Sequence, residues 1–224
     1  MAEKPILFSG PMVRALLEGR KTQTRRVLKL PKWASADPND IEVDEHGIAQ
    51  VIAEYGCLCD IPVPYAVGDL LWVRESWCEL DRGHRFVEHR REAAYMADTK
   101  AGSDGDEIRK EYGYKWKPSI HMPRWASRLT LDVTNVRVER LQDISEADAE
   151  AEGVFAHVAP HSLDKVFRSE RGPIARRYFS ELWTSINGAI GPASWGDNPW
   201  VVALTFTVHK CNVDSMPQRV KEVA

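Results

Sequence analysis

The apolar residues after Ser127 change phase partway along their run. Leu129, Leu131 and Val133 alternate, and Val136 and Val138 then alternate in the opposite parity. A strand turns successive side chains to opposite faces, so this switch requires a bulge or sharp bend near Thr134-Asn135. Barrels use such devices at their corners. A second alternating run, Trp200, Val202, Leu204, Phe206 and Val208, reads as a closing strand.

Helical patterns flank these strands. Ile6-Leu7-Phe8 predicts a short first strand, after which Ser9 caps a helix with Pro11 in its first turn. Met12, Ala15 and Leu16 give that helix one apolar face, and Gly19 ends it in the left-handed conformation. Thr22 to Leu28 then predicts a strand, with Thr22, Thr24 and Arg26 on one face and Gln23 and Arg25 on the other. Ser145 begins a short helix with Asp148 in a capping-box position, and Gly153 ends it. Pro173 opens a helix whose Ala175, Tyr178, Phe179, Leu182, Trp183 and Ile186 form a core stripe. Gly68 to Trp77 predicts a turn feeding a buried strand. A small hairpin is expected around Glu45-His46-Gly47, a mobile loop at Ala101 to Gly105, and a frayed tail from 211 to 224.

A chain of 224 residues can bury a full core, as one domain with insertions or at most two. Its net charge of −3 excludes a wholly electrostatic nucleic-acid binder, but the charge is uneven. Seven basic residues against one acid lie between Arg14 and Lys32, and six acids against one base between Glu139 and Glu152. No stretch has the apolar length of a membrane span or a signal peptide, and Cys57, Cys59, Cys78 and Cys211 form no disulfide framework. These features predict a cytoplasmic protein with reduced thiols and no membrane partner. No metal-ligand spacing, phosphate loop or serine elbow stands out, so neither metal nor cofactor is expected.

The segment Gly19-Arg20-Lys21-Thr22-Gln23-Thr24-Arg25-Arg26 carries the chemistry. A threonine hydroxyl becomes a nucleophile when a neighbouring base takes its proton, and a lysine serves if burial and nearby cations lower its pKa. Lys21 meets Thr24 only from a helix-to-strand bend, which Gly19 permits. The same arginines suit an anion such as a nucleotide phosphate.

These pieces resemble an ASCH domain of the PUA-like superfamily. The likeness rests on Gly19 to Arg25, Val67-Gly68-Asp69-Leu70-Leu71-Trp72-Val73-Arg74-Glu75, the strand Leu129 to Val138, Leu141 to Ser145 with its helix, and Trp200 to Thr207. Trp116 to Arg128 and Asp197 to Val201 look like the extended ASCH proteins of bacteriophages and prophages. The resemblance implies an α+β fold: a PUA-like mixed β-barrel with flanking helices and loop-rich insertions. One domain would span 5–208, with insertions near 30–64, 76–125 and 155–195, and 209–224 as a tail.

Small bacterial members of this family include an amidohydrolase acting on N(4)-acetylcytidine. Its lysine proton acceptor, threonine nucleophile and glutamate proton donor fall by motif position on Lys21, Thr24 and Glu152. The end of a helix, where the dipole disfavours negative charge, suits Glu152 as an acid. Around that triad, Arg20, Arg25, Arg26, Glu75, Trp77, Trp116, His121 and Arg124 are candidate contacts to a modified nucleoside or RNA. Trp77, Trp116 and Trp125 are stacking candidates beside charged residues, whereas Trp72, Trp183 and Trp200 belong to the core. Glu75 would bind a base edge, hold Lys21, or pair with an arginine. A non-catalytic reader of RNA or of a modified base, or a phage interaction protein, would fit the same segments without needing Glu152.

Overall fold

The computed structural model describes residues 1–30, 41–43, 48–52, 58–80, 92–157 and 174–216. In chain order the elements are β1 (Glu3–Leu7), α1 (Gly10–Leu17), β2 (Gln23–Val27), β3 (Ile41–Val43), β4 (Ile48–Ile52), β5 (Leu58–Pro62) and β6 (Leu70–Arg74). They continue with β7 (Trp77–Leu80), β8 (Glu92–Tyr95), α2 (Asp104–Glu111), β9 (Thr130–Arg140), α3 (Glu146–Ala151), α4 (Ile174–Asn187) and β10 (Trp200–His209). The fold mixes α and β, with an open mixed sheet and few helices. No helix among the described residues is long and apolar enough to cross a membrane.

The chain divides into two compact units. One comprises Met1, Glu18–Asp69 and Val133–Thr207; the other comprises Ala2–Leu17, Leu70–Asp132 and Val208–Ala224.

In the first unit β2 runs antiparallel to β10, with Thr24 opposite Leu204 and Arg25 opposite Ala203. The last residues of β9 border β10 on its other side. Val201 to Leu204 are all buried, so both faces of that strand are covered. One cover is a core of Leu141, Ile144, Ala149, Val154, Ala175, Phe179, Trp183 and Val201. The stripe of α4 therefore packs as its spacing predicts, except Ile186, which sits in the helix's last turn and is 66% exposed. Trp200 is half-buried rather than core. β3, β4 and β5 form a separate antiparallel sheet, with Val43 paired to Ala49 as a hairpin requires; residues 45–47 lie outside the described ones, as does Pro173.

Helix α3 forms for a local reason. The Ser145 hydroxyl accepts a hydrogen bond from the Asp148 N–H at 3.1 Å, and Gly153 leaves the helix at φ 76°. Glu146, in its first turn, accepts the Ala175 and Arg176 N–H groups at 2.8 and 3.0 Å and so caps the start of α4. Ser145→Ala should cost about 1 kcal/mol, lowering the melting temperature by about 2–4 °C. A thermal melt beside wild type checks this, and an unchanged melt would show that the cap contributes nothing.

In the second unit β1 runs parallel to β6, and β6 pairs antiparallel with the start of β9, Leu71 facing Leu131. Gly68, at φ 86°, turns the chain into β6. Along β9, Thr130 to Val133 are all buried, and Thr134 and Asn135, already in the first unit, are exposed in succession. Trp72 is half-buried.

Two expectations are corrected in this unit. Ala101 to Gly105 is not all loop, because α2 begins at Asp104. Asp106 holds that start by accepting from the Gly102 N–H and pairing with Arg109 and Lys110. Residues 211–216 are not frayed either. Asn212 donates to the carbonyls of Arg124 and Ser127 at 2.8 and 2.7 Å, and Val213 is buried. These polar anchors have no hydrophobic period to betray them. Residues 217–224 lie outside the described ones.

Candidate functional site

Gly19, at φ 74°, lets the chain leave α1 and bend before β2. Lys21 lies in that bend, only 2% exposed. The bend is tied to the end of α3, where the Thr22 N–H donates to the Ala151 carbonyl at 2.8 Å. The Phe206 N–H donates to the Thr22 carbonyl at 3.0 Å, anchoring the bend to β10. Glu152 is the C-cap residue of α3 and is 4% exposed. These ties bring the Lys21 Nζ to 2.7 Å from both the Glu152 carbonyl oxygen and Oε2. The two residues lie 131 positions apart in sequence.

Burial lowers the pKa of the Lys21 ammonium. The Glu152 carboxylate opposes that shift, and the charges of Arg26 and Arg25 reinforce it. A lowered pKa makes a lysine a readier proton acceptor than a solvated one.

Thr24 follows on β2 and is 1% exposed. Its hydroxyl oxygen accepts a hydrogen bond from Arg26 Nη1 at 2.8 Å; the same nitrogen donates to the Arg25 carbonyl at 3.0 Å. Residues two apart on a strand share a face, so the Thr24–Arg26 contact follows from the period of β2.

Arg25 points to the other face and is not the phosphate contact its composition suggested. Its side chain is fully buried among carboxylates. Nε donates to Glu139 Oε1 at 2.9 Å, and Nη1 donates to Glu152 Oε1 at 3.2 Å and Gln23 Oε1 at 3.3 Å. Nη2 lies 2.7 Å from Glu139 Oε1 and 3.4 Å from Asp148 Oδ2. Those Nη2 contacts are Coulombic, since its N–H groups are not aimed for a hydrogen bond. A phosphate could reach Arg25 only by displacing these groups. Arg20, by contrast, is exposed and pairs with Glu18.

Glu139 and Asp148 are acidic neighbours of Arg25 that the motif did not name. The signal was present in the opposed charge runs, since Lys21 and Arg25 belong to the basic run and Glu139, Asp148 and Glu152 to the acidic one. Burial pushes the Asp148 carboxyl up. A hydrogen bond from Gln23, the charges of Arg137 and Arg25 and the Ser145 contact outweigh burial and hold the pKa below the ordinary value. Its folded-state pKa is thus depressed, so its stabilisation is present above the unfolded pKa of about 3.9 and lost as pH falls through the folded value. Urea midpoints should hold above about pH 5 and fall below about pH 4, with a shallower fall in Asp148→Asn. Identical acid slopes in the two proteins would contradict this.

The remaining candidates belong to the second unit. Glu75 is 1% exposed and forms the ion-pair arrangement, accepting from Arg128 Nε at 2.8 Å and Nη2 at 3.1 Å. Burial pushes its carboxyl up against the pull of Arg128, whose guanidinium also lies 3.9 Å from the centre of the Tyr95 ring. Trp77 is buried, with the Trp125 ring edge-on at 5.7 Å, and so serves a small core with Met122 and Ala126 rather than an open stacking face. Trp116 is half-buried under the Arg109 guanidinium at 4.9 Å. His121 is exposed in a 3₁₀ turn, and Arg124 is engaged by Glu3 and Asp214.

Compared with known proteins, the chain matches no family model, no curated protein and no solved structure.

Proposed function

We propose that the chain is a nucleoside-binding protein with an ASCH-like, PUA-type core that hydrolyses the exocyclic amide of an N(4)-acylated cytidine. Thr24 is the nucleophile, Lys21 the proton acceptor and Glu152 the proton donor. The observation that carries this reading is the buried Lys21–Glu152 contact at 2.7 Å, made by the lysine three residues before Thr24 in sequence. A buried ion pair is a weak stabilising device compared with apolar packing. Lys21 precedes Thr24 by three residues in sequence and both side chains are buried, which favours a chemical role for the pair.

The pair has the right protons. Moving one proton along the 2.7 Å hydrogen bond converts ammonium and carboxylate into amine and carboxylic acid. That uncharged form is the one able to accept one proton and donate another. As Thr24 Oγ1 bonds to the acyl carbon, its proton passes to Lys21 Nζ. As the carbon–N(4) bond breaks, Glu152 gives its proton to the leaving nitrogen. Water then hydrolyses the threonine ester, releasing the carboxylic acid and restoring the hydroxyl. Arg26, already a donor to Thr24 Oγ1, offsets negative charge on that oxygen as its proton leaves.

The test is incubation of the pure chain with N(4)-acetylcytidine and related N(4)-acyl cytidines, with cytidine release followed by chromatography and binding followed by calorimetry. Turnover supports the enzyme. Binding without turnover on any acyl cytidine would replace it with a reader of modified bases.

A further inference from the structure

We propose that Arg25 is a positioning residue: its guanidinium, shared between Glu139 and Asp148 on one side and Glu152 on the other, sets how firmly the Glu152 carboxylate holds the Lys21 amine. This deepens the reading above, and its bearing on catalysis rests on that reading.

The geometry divides the Glu152 carboxylate between two cations. Oε2 meets Lys21 at 2.7 Å, and Oε1 meets Arg25 at the longer 3.2 Å. Arg25 lies closer to Glu139, at 2.7 and 2.9 Å, than to Glu152. Glu139 and Asp148 therefore absorb much of the Arg25 charge and leave Glu152 mainly to Lys21. Because the Arg25 side chain is fully buried, water screens little of this competition.

The charged groups around Lys21 can be named element by element. Glu152 faces it from the end of α3, and Arg25 and Arg26 act on it from β2. Glu139, on β9, and Asp148, on α3, act through Arg25. Arg137 in turn reaches Asp148 at 3.1 Å and Glu139 at 3.7 Å. Glu152 and Tyr65 both act on Arg26.

Two substitutions should then move Lys21 in opposite directions. Arg25→Gln removes a cation that competes for Glu152, so Lys21 binds its proton more tightly. Glu139→Gln removes an anion from Arg25, so Arg25 draws Glu152 more strongly and Lys21 releases its proton more readily. If Glu139 acts through Arg25, its effect on Lys21 disappears in Arg25→Gln/Glu139→Gln; a Glu139→Gln shift that persists undiminished without Arg25 would be direct Coulomb action and would overturn the positioning role.

The experiment is an NMR titration of the full chain carrying ¹³Cε-labelled lysine, with the Lys21 signal assigned by its loss in Lys21→Arg. The proton-binding constant of Lys21 should rise on the order of tenfold in Arg25→Gln and fall by a similar factor in Glu139→Gln. Shifts of the same sign, or no shift in Glu139→Gln, would overturn the proposal. If Arg25→Gln does not fold, Glu139→Gln decides alone. The titration needs no substrate, so absent turnover would count against the amidohydrolase and leave this result standing.

Discussion

Glu152→Ala should destabilise the protein by about 3–5 kcal/mol, because it breaks a buried ion pair from one side. The Lys21 ammonium, 2% exposed, then loses its carboxylate, and Arg25 loses one of three acidic partners. For a chain of this length the melting temperature should fall by about 6–20 °C. Removing both partners should be far milder. In Lys21→Met/Glu152→Leu no uncompensated charge remains at the pair, and apolar replacements of buried pairs are often neutral or stabilising. Arg25 keeps Glu139 and Asp148 in that double variant. Thermal melts of wild type and the three variants measure this directly. A double variant as unstable as Glu152→Ala would show that shape, rather than paired charge, holds this corner of the unit.

Much of the backbone was legible in local chemistry. Ser145 and Gly153 bracket α3, Gly19 releases the chain from α1, and Gly68 turns it into β6. Each of these depends on a few neighbouring residues, so sequence spacing suffices. The period of β2 likewise anticipates the Thr24–Arg26 contact.

What spacing could not supply was the identity of distant partners. Lys21 meets Glu152 across most of the chain, and that expectation came from family likeness rather than periodicity. Arg25 looked like a surface anion contact because it stands among other arginines. Its burial depends on Glu139, Asp148 and Glu152 arriving from β9 and α3, which no local pattern specifies. Glu75 was open between three roles, and its pairing with Arg128 is again a long-range electrostatic fact. Asn212 escaped notice for a similar reason, since its worth lies in the carbonyls of Arg124 and Ser127.

Loss of the nucleophile should give the largest functional effect. Thr24→Ala should abolish turnover of N(4)-acyl cytidines while leaving binding near wild type, since no covalent intermediate can form without Oγ1. Lys21→Ala and Glu152→Ala should each lose about 10²–10⁴-fold, the usual contribution of a positioned acid or base. Those two variants also break the ion pair, so their activity is to be read at temperatures well below their melts. Thr24→Ala is the cleaner variant, because it removes only a hydroxyl and a methyl group and leaves Lys21, Arg25 and Glu152 paired.

The most direct measurement is cytidine release from N(4)-acetylcytidine by wild type and Thr24→Ala side by side, with matched melting curves. The wild type should turn over steadily and the variant not above background. Equal turnover by the two proteins would contradict the mechanism.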